Sequence, residues 1–179
     1  TNESYAVAKI AGIRLAQALH QEAGMRIFLP MPSNIYGPGD HFDLAKSHVL
    51  SALVMRYEQA RRRGNDSVTL WGTGAARREF LHCDDLADAC RHLLTIDEDL
   101  GLINVGTGTD ISIAELAIEV STAVGFRGQT FWDTTKPDGM PRKLLDVQRL
   151  SSTGWKPRIP LHEGLNQVIE DYRTRYPSD

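Results

Sequence analysis

Asn2-Glu3-Ser4-Tyr5-Ala6-Val7-Ala8-Lys9 opens the chain, and the spacing inside it decides how the rest is read. Apolar residues at Tyr5, Ala8, Ile10, Ala11, Ile13, Leu15, Ala16 and Leu19 predict a helix over 4–22, with Gly24 placed to end it in a left-handed conformation. A helix repeats every ~3.6 residues, so Tyr5 and Lys9 lie one above the other on one face. A free phenol ionises near pH ~10 and is a poor acid or base at neutrality. An ammonium one turn away, with the positive end of the helix dipole, favours the phenolate and makes the pair a proton donor for a carbonyl. The same spacing also describes an ordinary exposed helix pair.

Downstream the pattern changes period. Met25-Arg26-Ile27-Phe28-Leu29-Pro30-Met31 reads as a buried strand, leading into a turn-rich loop, Pro32-Ser33-Asn34-Ile35-Tyr36-Gly37-Pro38-Gly39-Asp40. A helix is expected over 47–63, its apolar face carried by Val49, Leu50, Leu53, Val54 and Tyr57. A strand at 68–71 ends in Gly72-Thr73-Gly74, an extended stretch covers 77–82, and Asp84 or Asp85 is placed to cap a helix reaching Thr95. A buried strand over 102–106 precedes Ser112-Ile113-Ala114-Glu115, a capping box opening a helix to Val124. A strand at 129–133, a Pro- and Gly-rich loop over 135–143, a short helix over 147–151 and an amphipathic helix over 160–172 complete the chain. Strands alternating with helices predict an α/β architecture.

Composition narrows the chemistry. Charged residues make up 24% and hydrophobic ones 41%, with a formal net charge of −3, which gives no argument for nucleic acid or membrane as a partner. The only basic run, Arg61-Arg62-Arg63, closes a helix just before Gly64 and reads as a solvated helix end. No apolar stretch approaches the ~18–20 residues of a membrane span. Cys83 and Cys90 fall along one turn and helix; seven helical residues rise about 10.5 Å, too far for a disulfide. They are expected as free thiols, consistent with a cytoplasmic setting, and no metal site is expected.

Tyr-x-x-x-Lys on a helix, then a strand, then P-x-N-x-Y-G-P, resembles the extended short-chain dehydrogenase/reductase family acting on nucleotide sugars. Five further segments, N-I-Y-G-P-G-D-H-F-D, K-S-H-V-L, L-W-G-T-G-A-A-R-R-E-F-L-H-C-D-D, I-N-V-G-T-G and T-K-P-D-G-M-P-R-K-L-L-D, carry the likeness over essentially the whole chain. They are similar to the branch that turns GDP-4-keto-6-deoxy-D-mannose into GDP-L-fucose by 3,5-epimerisation and NADPH-dependent 4-keto reduction. The resemblance implies a Rossmann-type α/β fold with a smaller substrate-binding domain. Residues 1–35, with 79–105 returning to them, would belong to the dinucleotide-binding part, and 36–78 and 106–179 to the substrate-binding part. By the same likeness Tyr5 is the proton donor and Lys9 its partner at the nicotinamide ribose. Pro32, Ser33, Asn34 and Ile35 line the nicotinamide pocket, and His48 borders the cofactor and supplies the acid of the epimerisation. Arg56, Trp71, Arg78 and Asp138 hold the GDP-sugar, and a homodimer is implied.

Without the resemblance, His48 reads as a helix-start residue and Trp71 as a core or interface residue. Two alternatives stay open: an NAD-dependent nucleotide-sugar 4-epimerase or 4,6-dehydratase, and a non-catalytic binding module. A dinucleotide site needs a Gly-rich turn between a first strand and a helix, so that backbone amides hold the pyrophosphate. Gly72-Thr73-Gly74 and Gly106-Thr107-Gly108 both read as plain turns. The chain is therefore expected to be the C-terminal part of a longer enzyme, with the family's catalytic serine and epimerisation cysteine upstream. Residues 1–179 by themselves are expected to bind NADPH weakly or not at all; a fluorescence titration giving micromolar affinity overturns this.

Overall fold

The computed structural model describes residues 3–43 and 47–177; Asn2 of the opening motif and Leu44, Ala45 and Lys46 lie outside them. The chain is a Rossmann-like α/β fold. Its elements run α1 (Glu3–Ala23), β1 (Phe28–Pro32), β2 (Asn34–Tyr36), α2 (Val49–Arg62), β3 (Ser67–Trp71), β4 (Arg77–Arg78), β5 (Phe80–His82) and α3 (Cys83–Leu94). They continue with β6 (Gly101–Val105), β7 (Ile111–Ser112), α4 (Ile113–Val124), β8 (Gln129–Asp133), β9 (Arg142–Lys143), α5 (Gln148–Ser151) and α6 (Leu161–Arg175).

Pairing is mostly parallel and long-range: β1 with β6, β2 with β5 and β3 with β8. Parallel neighbours need a crossover, and here the helices supply it, covering the strands so that apolar side chains lose water. β4 joins β9 in parallel and β7 antiparallel, making a small three-stranded sheet. Two apolar cores result. One gathers Leu50, Val54 and Tyr57 of α2 with Leu116 and Val120 of α4 and Leu165 and Val168 of α6. The other joins Leu81, Ala89, Leu93, Ile103 and Val105 to Leu150 and Trp155. Each fully buried aliphatic side chain there contributes roughly 1.5–3 kcal/mol.

Local signals hold where they are local. Gly24 has φ +63 and its N–H reaches the His20 carbonyl at 3.0 Å, ending α1 as expected. The Ser112–Glu115 capping box opens α4. Three expectations change. Residues 34–36, read as part of a loop, form β2, because its ladder partner 80–82 is remote in sequence and no local pattern announces it. Residues 142–143, also read as loop, form β9 for the same reason. The cap of α3 is His82, whose ring accepts the Asp84 N–H at 3.2 Å, while Asp85 turns inward to accept the N–H groups of Arg158 and Ile159, each at 3.0 Å.

The basic run is also more than a solvated helix end. The Glu58 side chain is 0% exposed and receives Arg61 at 2.6 Å, Arg62 at 2.9 Å and Arg173 at 2.9 Å, tying α2 to α6. Arg62 also stacks over Tyr172, 5.5 Å from its ring centroid. By contrast α1 buries none of its described residues, so Tyr5, Val7, Ile10, Leu15 and Leu19 stay exposed. No helix among the described residues is long and apolar enough to cross a membrane.

Burial alone raises the Glu58 carboxyl, but the hydrogen bonds from Arg61, Arg173 and Arg62 outweigh it and hold the group at about 2, below its ordinary 4.5. A lowered carboxyl stabilises the fold above its unfolded value, and that contribution is lost as pH falls from about 4.5 toward about 2. Glu58→Gln is expected to cost about 1.5–3 kcal/mol at neutral pH, since it weakens charged hydrogen bonds to three partly exposed guanidinium groups. Melting temperatures across this acid range should fall more steeply for the parent than for the variant.

Candidate active site

Tyr5 and Lys9 sit on α1 with the ammonium nitrogen 5.4 Å from the phenol ring centroid, as the helical repeat dictates. Tyr5 is 67% exposed, so its hydroxyl is open to a ligand. Among the described residues no hydrogen bond, ion pair or ring contact joins this pair to the other candidates.

Pro32, Ser33, Asn34 and Ile35 run from the end of β1 into β2. The Ser33 N–H donates to the Val105 carbonyl at 3.0 Å, and the Asn34 amide donates to the Glu79 carbonyl at 2.7 Å. Ile35 packs against the core around Leu81 and Ile103. The Ser33 hydroxyl is buried and has no partner in the protein. A buried hydroxyl without a partner costs free energy, so this atom fits a ligand's polar group. Next to it Tyr36 is buried edge-on to Phe80 and His82, its ring centroid 6.3 and 5.4 Å from theirs. Burial first, then the nearby Asp85, Cys83 and Glu119, pushes its phenol well above the usual range, which keeps it neutral. That makes Tyr36 a structural phenol, in contrast to the exposed Tyr5.

His48 stands at the N-cap of α2 with extended backbone and an exposed ring that makes no capping bond. A hydroxyl or carboxylate caps better because it is short and accepts well. Arg56, two turns on, lends its guanidinium to the Thr69 carbonyl at 3.3 Å, beside the strand that ends at Trp71. Trp71 is 67% exposed, with the Lys136 ammonium 6.0 Å from its ring centroid. The Asp138 carboxylate accepts the Thr73 N–H at 2.9 Å and the Thr73 hydroxyl at 2.6 Å, so it clasps the turn that follows Trp71. Those bonds hold the Asp138 carboxyl below its ordinary range. Arg78 folds back onto the Arg77 carbonyl at 2.7 Å and lies against Gly139. Trp71, Arg78 and Asp138 are thus brought together by β3, β4 and the 134–141 loop.

Arg78 also lines a cavity of about 310 Å³ with Phe80, Thr107, Thr109, Ile111 and Leu161. Its floor is braced by Asp110, which holds Arg77 at 2.8 Å and Arg142 at 2.5 Å. Hydrogen bonds from Arg142 and then Arg77 lower the Asp110 carboxyl. Arg78 and Arg158 are the arginines of its lining, beside the Asp110 carboxylate, and a guanidinium is the group that holds phosphate oxygens.

Sequence reading missed Glu79, Asp110 and Lys136, and gave Asp85 only a capping role. A signal existed for Glu79: a lone carboxylate beside the apolar Phe80-Leu81, where burial demands partners. For Asp110 and Lys136 no local pattern points to a partner. Both cysteines are free, as expected. His82, Cys83 and Asp84 bring possible ligand atoms within 4.8 Å of one another. Yet the His82 Nδ1 is engaged as the cap, and burial with the adjacent Asp84 pushes the Cys83 thiol up, which disfavours the thiolate a metal needs.

A family model described as NAD dependent epimerase/dehydratase family matches residues 1–106. GDP-L-fucose synthase 1 of Arabidopsis thaliana is 49% identical over 172 residues, covering 96% of this chain and 53% of that protein. GDP-L-fucose synthase of Escherichia coli strain K12 is 44% identical over 179 residues, covering 95% of this chain and 56% of that protein. This chain therefore spans about half the length of these curated relatives. Among solved structures, a GDP-D-glycero-L-gluco-heptose synthase from Campylobacter jejuni in the presence of NADPH superimposes with a TM-score of 0.80 at 31% identity. It is matched over 97% of this chain and 60% of its own length.

Proposed function

The chain belongs to the NAD dependent epimerase/dehydratase family, and from that premise we propose that it serves the conversion of GDP-4-keto-6-deoxy-D-mannose to GDP-L-fucose. The reaction joins 3,5-epimerisation to NADPH-dependent reduction of the 4-keto group. The observation that carries the reading is the exposed Tyr5 hydroxyl on α1 with the Lys9 ammonium 5.4 Å from its ring. The sugar-nucleotide class rests on the similarity to the two GDP-L-fucose synthases.

Pro32, Ser33, Asn34 and Ile35 would hold the nicotinamide end of NADP(H), with Lys9 on its ribose and His48 at its border. The partnerless Ser33 hydroxyl supports this, since a carboxamide would satisfy it. When bound, the cofactor supplies the hydride that reduces the 4-keto carbon. Tyr5 then gives its proton to the keto oxygen, and Lys9 steadies the phenolate left behind. Epimerising a carbon beside a ketone removes a proton and returns one to the opposite face; His48, an exposed imidazole, returns it. Arg78 and Arg56 hold the diphosphate, Trp71 packs on the nucleotide sugar, and Asp138 lies where it meets sugar hydroxyls.

Residues 1–35 and 79–105 make the dinucleotide-binding part in this reading, and 36–78 and 106–179 the sugar-nucleotide part. The core of α2, α4 and α6 supports that division, while the other core takes Leu150 and Trp155 from 106–179. A homodimer would account for the exposed apolar side chains of α1.

The test is made in the protein that carries this chain. His48→Asn keeps size and one hydrogen-bonding position but cannot shuttle a proton. It is expected to bind NADPH normally and to lose product formation by ~10²–10⁴-fold, the usual worth of general acid–base catalysis. Solvent-deuterium incorporation at C3 and C5 of the sugar checks this; exchange at the parent rate at both carbons sinks the assignment. Arg78→Ala should raise the KM for the GDP-sugar more than it lowers kcat, a loss of about 1.5–3 kcal/mol in line with charged hydrogen bonds made in ground and transition states alike. An unchanged KM removes Arg78 from the site.

A further inference from the structure

Glu79 is 1% exposed, and each of its polar atoms is engaged by one of three remote segments of the chain. Its Oε1 accepts the Gly108 N–H at 2.7 Å and the Thr107 hydroxyl at 3.4 Å. Its Oε2 accepts the Leu145 N–H at 3.0 Å. Its own N–H donates to the Lys143 carbonyl at 3.3 Å, and its carbonyl accepts the Asn34 amide at 2.7 Å. Gly106 presses its backbone on the same carboxylate so closely that a Cβ there would collide with it. A buried carboxylate is worth its desolvation only when its lone pairs are filled, so this geometry is tightly held.

The segments it gathers are those that border the cavity beside Arg78. Thr107 and Thr109 line that cavity, and 143–145 follows the Pro- and Gly-rich loop that lays Gly139 against Arg78. Arg78 and Phe80, on either side of Glu79, point into the same space. We propose that Glu79 is a positioning residue for the sugar-nucleotide side of the site: its carboxylate clamps the 106–109 turn and the 143–145 segment around the strand that carries Arg78. The proposal rests on the reading of Arg78 as a substrate contact. The nicotinamide side is reached only through the Glu79 main-chain carbonyl, which a side-chain substitution leaves in place.

That asymmetry sets the test, made on purified full-length protein. Glu79→Gln is isosteric, but its amide can accept on one atom only and turns an N–H toward the other donor. It is expected to raise the KM for the GDP-sugar about tenfold, the worth of one lost hydrogen bond to a charged acceptor, and to leave the KM for NADPH unchanged. Gly106→Ala places a methyl against the same carboxylate and should reproduce the split. If both KM values rise together, or if neither variant folds, Glu79 is a core strut and the proposal fails. If soluble variants keep both parental KM values, it fails as well. Arg78→Ala run in parallel separates the two ideas: an unchanged GDP-sugar KM there overturns the site reading, whereas a raised one with Glu79→Gln unaffected overturns only the role of Glu79.

Discussion

A carboxylate taken out of water must find donors, and the chain around Glu79 is arranged to supply them. Three loops that share no local sequence logic, at 32–34, 106–109 and 143–145, converge on this one residue. Backbone N–H groups at loop tips ordinarily face solvent; here two of them face a fixed anion instead, so the loops lose the freedom that their Gly and Pro content would allow. The requirement reaches Gly106, where the carboxylate leaves no room for a side chain. Dispersion and area burial could hold these strands together, but only directed bonds determine how the loops above them lie.

The same device recurs across the fold. Asp85 holds consecutive N–H groups at Arg158 and Ile159, placing the segment that leads into α6. Asp110 bridges Arg77 and Arg142 and so locks β4 to the chain around β7 and β9. Glu58 gathers guanidinium groups from α2 and α6. A buried ion pair adds little net stability against an apolar replacement, but it punishes any arrangement that leaves one partner alone. In a fold whose strand pairs are joined by long crossovers, that penalty selects register and loop position.

The candidate site combines two kinds of construction. Tyr5 and Lys9 are set by a single helix, so their relation needs nothing beyond the helical repeat. Trp71, Arg78 and Asp138 come from β3, β4 and a loop some sixty residues later, and Asp138 reaches the first by clasping Thr73. The Ser33 hydroxyl lies between β1 and β2, buried and partnerless, at a place where a bound molecule rather than the protein would complete the bonding. Helix geometry thus sets the Tyr5–Lys9 pair, while tertiary contacts shape the surface around Trp71, Arg78 and Asp138.

What the sequence determined by itself follows from short-range physics. The alternation of helices and strands, the Gly24 helix stop, the Ser112–Glu115 capping box and the Tyr5–Lys9 face all depend on residues within a turn or two of one another. The tertiary structure alone decided the rest. Residues 34–36 became a strand because 80–82 lay beside them, and Glu58 gained Arg173 as a partner because α6 packed against α2. Glu79 carried a charge to the junction of β4 and β5 without any neighbouring residue to reveal its partners, since those are backbone N–H groups at 108 and 145. A main-chain donor is the same at every position, so no residue type marks which one will answer a buried charge; only the folded path of the chain selects it.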